Sequence, residues 1–207
     1  MTTVRTSARG VAGAALALAL AGCITLLPKS PPAQLYRFGA TSAGASSTVA
    51  RAFTVRNGPI NFDAASAGDQ ILSVEGDKTA YIGGARWITA ATTLFEAASD
   101  RAFATRAGPA RLLARGETAH ADYVLKLDVR RFETRYDNGV GAAPTVLVEV
   151  YATLDDPTRP AAGRDHLFAA SVGASDNRVG AIVRAYDGAV DQVLGDLVGW
   201  VNAKGAP

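Results

Sequence analysis

Few residues in this chain are of the types that perform catalysis. Histidine occurs only twice, as His120 and His166. His120 stands two residues before Asp122, which suits half of a catalytic pair or part of a metal site, although an ordinary loop histidine is the simpler interpretation. His166 alternates with Phe168, and this spacing indicates a partly buried strand residue. Neither histidine therefore provides a strong basis for an active site.

The sequence motifs of common enzyme classes are also missing. The chain contains no GxSxG, HExxH, phosphate-binding loop or GxGxxG sequence. Asp155 and Asp156 belong to a turn sequence, DDPTRP, that lacks the spacing of a calcium-binding loop. We therefore predict no catalytic residues, no metal site and no cofactor, so that the protein is not an enzyme. The alternative, a hydrolase, requires His120 to assemble with a serine or with Asp122 in a cleft.

The single cysteine, Cys23, ends a sequence that is typical of a secretory signal. Arg5 and Arg9 precede an apolar segment that is shorter than the roughly 20 residues of a membrane-spanning helix. This segment ends in LAGC, which resembles the lipobox of bacterial lipoproteins, in which the cysteine thiol is acylated before the chain is cleaved in front of it. We predict a signal peptide over residues 1–22, cleavage between Gly22 and Cys23, and a lipid anchor on Cys23. A buried cysteine after a chance apolar run is the alternative.

The composition of the mature chain argues against a nucleic-acid partner. The full chain has 21 basic and 19 acidic residues, and cleavage of the signal peptide removes two arginines and no acid, so the mature protein is neutral.

Residues 23–33 form a proline-rich spacer in which Pro28, Pro31 and Pro32 disfavour helix. Ile24 replaces the aspartate that retains many lipoproteins in the inner membrane, which predicts the periplasmic face of the outer membrane. Residues 34–204 are long enough for one domain.

Alternating apolar residues predict most of the strands of that domain. The two early candidates are Gln34–Gly39 and Val49–Arg56, and two short ones, Gln70–Val74 and Thr79–Ile82, flank a turn at Gly76–Lys78. Three later strands with turn-rich links predict an antiparallel meander; they contain Tyr123–Val129, Val146–Leu154 and Arg164–Gly173. In the first of them the apolar positions change phase near Arg130 and Arg131, which predicts a β-bulge there.

Two segments have helical periodicity instead. Apolar residues recur from Trp87 to Ala102 and again from Val179 to Val201 at the spacing of an amphipathic helix. We read Gly83 and Gly84 as the turn that leads into the first helix. The order of elements predicts an α+β fold in which an antiparallel sheet carries both helices on one face.

In this order of features the sequence resembles the auxiliary lipoproteins of MCE-type ABC transporters, the paraquat-inducible C-type family. The resemblance is carried by LAGC with its prolyl spacer, LYRF, AYIGGARWITAATTLF with Tyr81 ahead of Trp87, ADYVLKLDVRRFETRY with Phe132, and LVGWV. It implies a non-enzymatic, outer-membrane-anchored periplasmic protein. Such a protein works with an MCE-domain protein, an ABC permease and an ATPase in moving lipids or other apolar molecules between membranes. An envelope assembly scaffold without a transporter is the alternative.

The charged stretch RRFETRYD, residues 130–137, is our candidate surface for contact with such a partner. Its alternation of arginine, aromatic residue and acid suits a polar-rimmed interface. We therefore name Arg131, Phe132, Arg135 and Tyr136 as candidate interface residues. A solvated strand end without a partner is the alternative.

Overall fold

In the part of the chain that the structure describes, eight strands form one sheet, and two helices follow the fourth and the eighth strand. The computed structural model describes residues 32–39, 52–159 and 163–205. Gly22, Cys23 and the spacer up to Pro31 lie outside these ranges, and so do residues 49–51 of the predicted second strand. The elements are β1 Gln34–Tyr36, β2 Phe53–Phe62, β3 Gln70–Glu75, β4 Lys78–Trp87, α1 Ala91–Thr105, β5 Ala110–Leu112, β6 Tyr123–Arg135, β7 Thr145–Asp155, β8 Arg164–Gly173 and α2 Val179–Lys204.

The prediction of an α+β domain with two helices is confirmed, but the prediction of an antiparallel sheet is wrong. β6, β7 and β8 form the predicted antiparallel meander, and β3 pairs antiparallel with β4. By contrast, β1 runs parallel to β4, and β2 runs parallel to both β5 and β6. Long connections that contain other elements return the chain to the same direction, as parallel pairing requires. Alternation within a strand is the same in both kinds of pair, so it could not reveal the direction.

The long strand β6 organises the sheet because it pairs along both of its edges. One edge takes β7 from Val124 to Arg135, while the other takes β2 beside its first half and β3 beside its end. The predicted bulge is present: Val129 pairs with Val150 and Arg131 pairs with Glu149, so Arg130 is the extra residue. The bulge keeps the apolar residues inward on both sides of the phase change.

The first helix begins later than its periodicity predicts. Trp87 is the last residue of β4, and α1 begins at Ala91. Gly83 and Gly84 also belong to β4, where Gly84 has a φ of 70° that glycine adopts readily. Here β4 loses its regular register with β3. The helical spacing of Trp87 was therefore fortuitous, because this side chain reaches the same core from a strand.

Both helices pack on the same face of the sheet through an aromatic cluster centred on Phe132. The ring of Phe132 lies 4.8 Å from that of Tyr186 on α2 and 6.5 Å from that of Phe95 on α1, measured between centroids. Phe38, two residues after β1, and Trp87, at the end of β4, also contact the ring of Phe132. All five side chains are almost fully buried. Among the described residues, no helix is long and apolar enough to cross a membrane.

One buried hydrogen bond joins β6 to α2, and its loss has a predictable cost. The hydroxyl of Thr134 donates to the hydroxyl oxygen of Tyr186 over 3.2 Å, and both residues are inaccessible to solvent. Burial raises the pKa of Tyr186, so this phenol stays protonated in the folded protein. We expect Tyr186→Phe to lower the free energy of unfolding by about 1–3 kcal/mol, because the Thr134 hydroxyl then lacks its acceptor.

Urea unfolding of Tyr186→Phe, Thr134→Val and the double variant measures this coupling. The double variant should lose less stability than the sum of the two single changes, since it removes both polar groups together. Strictly additive losses would show that the two hydroxyls do not stabilise each other.

Candidate functional site

The bulge at Arg130 places a row of charged side chains on the outer face of the sheet. After the bulge, Phe132 and Thr134 point into the core, whereas Arg131, Glu133 and Arg135 point to the other face. Both helices lie on the core side, so neither covers this outer face. The second half of β6 therefore presents its arginines to solvent.

These side chains form an ion-pair ladder along the strand. Glu133 Oε1 lies 3.3 Å from a guanidinium nitrogen of Arg131 and 3.3 Å from one of Arg135. Arg135 also pairs with Asp137 over 3.0 Å, and this carboxylate raises the pKa of Arg135. The Glu133 side chain is only 10% exposed, whereas that of Arg131 is 50% exposed. Glu133 thus orients both guanidinium groups, and each guanidinium carries more N–H donors than this ladder engages, so the row suits carboxylates of a partner.

Tyr136 follows the ladder but is committed largely to the fold. Its backbone N–H donates to the carbonyl of Val74 over 2.8 Å, and its hydroxyl donates to Asn177 Oδ1 over 2.9 Å. Partial burial raises the pKa of its phenol. The half-buried side chain ties the end of β6 to the segment before α2.

Phe132 was a wrong choice for a contact residue. Only 2% of it is accessible, and its ring lies inside the aromatic cluster that joins both helices to the sheet. A partner could not reach the ring without opening the core. Of the predicted surface, Arg131, Arg135 and part of Tyr136 remain available.

Neighbouring strands extend this outer surface with residues that the sequence analysis did not select. The guanidinium of Arg130 lies 4.2 Å from the ring centroid of Tyr151 on β7, within the range of a cation–π interaction. Leu167 on β8 pairs with Tyr151 in register and is 46% exposed. The alternation of β7 and β8 predicted which of their residues point inward. The residues between them, which include Tyr151 and Leu167, point outward, and the same alternation could have identified them as part of the surface. We call Arg130, Arg131, Arg135 and Tyr151 the β6–β7 patch.

The His120 region does not assemble a catalytic pair. The Asp122 carboxylate accepts hydrogen bonds from the Thr54 backbone N–H over 2.7 Å and from the Thr54 hydroxyl over 2.8 Å. These bonds lower the pKa of Asp122. The same hydroxyl also lies within hydrogen-bond distance, 2.9 Å, of the His120 backbone carbonyl. Asp122 therefore fixes the start of β6 beside β2.

The other polar groups that could suggest chemistry also have structural roles. Asp156 accepts hydrogen bonds from the backbone N–H and the hydroxyl of Thr158, which lower its pKa to about 2, as expected for a turn. The exposed ring of His166 stacks on Trp200 near the end of α2. In the parts of the chain that the structure describes, no group of three potential metal ligands occurs.

A polar cleft between α1, β2 and the loop after β5 contains paired charges. Glu96 forms an ion pair with Arg115, and Asp100 Oδ1 accepts a hydrogen bond from Asn57 Nδ2 over 3.0 Å. Burial, followed by the charge of Glu96, raises the pKa of Asp100. Arg56 donates to two carbonyls of the adjacent loop. The residues that line the cleft include no histidine, serine or cysteine.

The profile of the ABC-type transport auxiliary lipoprotein component family matches residues 36–198. The chain belongs to this family. The matched region extends from β1 into α2 and includes the whole β6–β7 patch. The family description concerns a transport component and a lipoprotein, so it agrees with the resemblance noted from the sequence and names no catalytic activity. A search of curated proteins found no match.

Solved structures support the fold of this auxiliary lipoprotein. It is similar to protein XCC0632 from Xanthomonas campestris, a DUF330 protein, with a TM-score of 0.70 and 22% identity over 84% of this chain and 97% of the other. A second, uncharacterized protein has a TM-score of 0.65 and 10% identity over 83% of this chain and 99% of the other. At these identities the likeness concerns the fold alone.

Proposed function

We propose that this auxiliary lipoprotein is a docking component of an MCE-type ABC transporter that moves lipids or other apolar molecules between membranes. In this proposal Cys23 carries the acyl chains that hold the protein at the periplasmic face of the outer membrane. The protein performs no chemical step. Its partners are an MCE-domain protein and, through it, the permease and ATPase of the inner membrane.

The observation that carries the docking role is the open outer face of the sheet with its oriented arginines. Two guanidinium groups held by one nearly buried carboxylate are pre-ordered for a partner, so contact costs little side-chain entropy. Arginine and tyrosine, which make up the β6–β7 patch, are enriched in protein interfaces. Family membership supports a transporter as the partner.

The length of the spacer supports a bridging partner. Gln34 is eleven positions after Cys23 in the chain, which is about 34 Å at the roughly 3.1 Å per residue of an extended proline-rich chain. The proposal therefore needs a second protein to span the remaining distance to the inner membrane, a role that suits the MCE-domain protein.

Charge reversal on the patch tests the docking role directly. We expect Arg131→Glu/Arg135→Glu to reduce co-purification of the MCE-domain protein at least tenfold, because two attractive contacts become repulsive. The measurement is affinity purification of the tagged lipoprotein from solubilised membranes of cells that contain the transporter, with quantification of each subunit.

The matched control is Arg111→Glu/Arg115→Glu, which reverses two ion-paired arginines in and just after β5, an edge strand that β2 separates from β6. Arg131→Gln/Arg135→Gln removes the charges without placing new acids beside Glu133, and thermal unfolding verifies that each variant folds. Equal co-purification of all variants would locate the contact elsewhere. If the wild-type protein brings down envelope proteins but no transporter subunit, the scaffold alternative replaces the docking role.

A further inference from the structure

A second surface lies on the outer face of the sheet, at the edge formed by the first strand of the domain. This edge and β8 lie on opposite sides of β6. β1 is the edge strand there, and it pairs with the end of β4. Tyr36 and Phe38 point into the core, so Leu35 points to the outer face, where it is 61% exposed. Ile88 follows Trp87, the register partner of Tyr36, and is 54% exposed. These are two of the five large apolar side chains that the described residues expose.

The charged side chains described next to Leu35 and Ile88 are arginines, one of which is paired with an aspartate. Leu35 pairs in register with Arg86, whose guanidinium lies 3.0 Å from both carboxylate oxygens of Asp69. The Ile88 N–H donates to the Tyr36 carbonyl over 2.7 Å. Arg37, the residue after Tyr36, is exposed and has no ion pair with the described residues. We call Leu35, Arg37, Arg86 and Ile88 the β1 edge patch. It combines exposed aliphatic side chains with a guanidinium, that of Arg37, that forms no ion pair with a described residue.

The position of this patch in the chain indicates what covers it. Only ten residues lie between Cys23 and Gln34, and residues 24–38 include Lys29 and Arg37 but no acid. If Cys23 is acylated, as the proposed function states, the patch is covalently held within about 40 Å of the bilayer even at full extension of the spacer. Because the tether is short, the bilayer is at a high effective concentration around the patch. Even a weak contact between the patch and the bilayer is then formed for much of the time. Basic and aliphatic side chains together suit an anionic lipid surface.

We propose that the β1 edge patch rests on the membrane that holds the anchor, with Leu35 and Ile88 in the headgroup layer and Arg37 beside anionic lipid phosphates. This inference rests on the anchor of the proposed function, not on the transporter. β1 lies three strand spacings from β6 in the sheet order, about 14 Å at the usual strand separation. Contact at the edge therefore leaves the β6–β7 patch accessible to a protein partner.

Single-cysteine labelling of the lipidated full chain tests the orientation. Because acylation consumes the thiol of Cys23, a new cysteine is the only free thiol of the protein. Leu35→Cys and Ile88→Cys are compared with Leu167→Cys and Val140→Cys, which replace side chains of similar exposure, 46% and 60%, away from β1. Each variant is labelled with an environment-sensitive fluorophore and reconstituted into phosphatidylcholine–phosphatidylglycerol vesicles that contain spin-labelled lipid.

We expect the spin-labelled lipid to reduce the fluorescence of the label at least twofold at positions 35 and 88. At positions 140 and 167 the fluorescence should fall by less than a tenth. Arg37→Glu should weaken the quenching at position 88, whereas Arg115→Glu should leave it unchanged. Hydrogen exchange of the unlabelled protein provides a second measurement: the amides around Ile88 should be more protected in vesicles than in detergent micelles.

Vesicle flotation separates the possible failures. A protein that floats with the vesicles but is quenched equally at all four positions keeps its anchor and overturns this orientation alone. A protein that does not float lacks the anchor and overturns the anchor and the orientation together. No transporter subunit is present in this experiment, so its outcome is independent of the docking test.

Discussion

Replacing Cys23 by serine should move essentially all of the protein from the membrane fraction to the soluble periplasmic fraction, or leave it as an unprocessed precursor. A serine hydroxyl cannot form the thioether that carries the diacylglycerol. Each buried methylene contributes about 0.8 kcal/mol of membrane affinity, so the loss of several acyl chains removes nearly all of the anchoring free energy. Fractionation, together with mass spectrometry of the N-terminal peptide, measures the change.

The control for this experiment is Thr25→Ser, which alters the spacer and retains the thiol. The Cys23→Ser protein should also unfold at the wild-type temperature, because the predicted domain, residues 34–204, does not include the cysteine. Recovery of Cys23→Ser in the outer membrane at the wild-type level would contradict the anchor. Loss of folding would show that the cysteine also has a role in the domain.

Local periodicity predicted the features that depend on one segment and its immediate neighbours. The phase change at Arg130 indicated a bulge because one face of β6 must remain apolar, and the structure confirms it. The meander of β6, β7 and β8 followed from short links between strongly alternating strands. These inferences succeeded because the period of the side chains and the length of the loops leave few alternatives.

The pairing of segments that lie far apart in the chain could not be predicted from local periodicity. β2 pairs in parallel with β6 although β3, β4, α1 and β5 lie between them in the chain. No local pattern distinguishes this from an antiparallel arrangement. Trp87 illustrates a related limit, because a side chain at the end of a strand can match a helical period by chance when the next segment is a helix.

The candidate interface shows how a charged stretch can conceal a core residue. In RRFETRYD the arginines suggest exposure, yet alternation after the bulge sends Phe132 to the opposite face from Arg131. A burial assignment made from the alternation alone would have separated the two. The sequence therefore identified the strand that carries these arginines, whereas the side chains that share its outer face could be assigned only from the register.

Phe132→Ala should be among the most destabilising single substitutions in the domain. Its ring contacts Phe38, Trp87 and Tyr186, and the cavity left behind lies between β4, α2 and the segment just after β1. We expect a loss of about 3–5 kcal/mol in the free energy of unfolding, a large part of the 5–15 kcal/mol that domains usually have. Denaturant unfolding of the Cys23→Ser form measures this loss without a membrane, and Leu167→Ala, at a 46% exposed position, should lose under about 1 kcal/mol.

Phe132→Leu separates a core role from a contact role at the same position. Leucine retains much of the apolar volume, so the variant should stay folded with a loss of roughly 1–3 kcal/mol. Because the ring does not reach the surface, co-purification with transporter subunits should equal that of the wild-type protein, while Arg131→Gln/Arg135→Gln reduces it. If Phe132→Leu instead keeps wild-type stability and loses the partner, the aromatic ring must be presented to the partner, and the core of the domain must open when it binds.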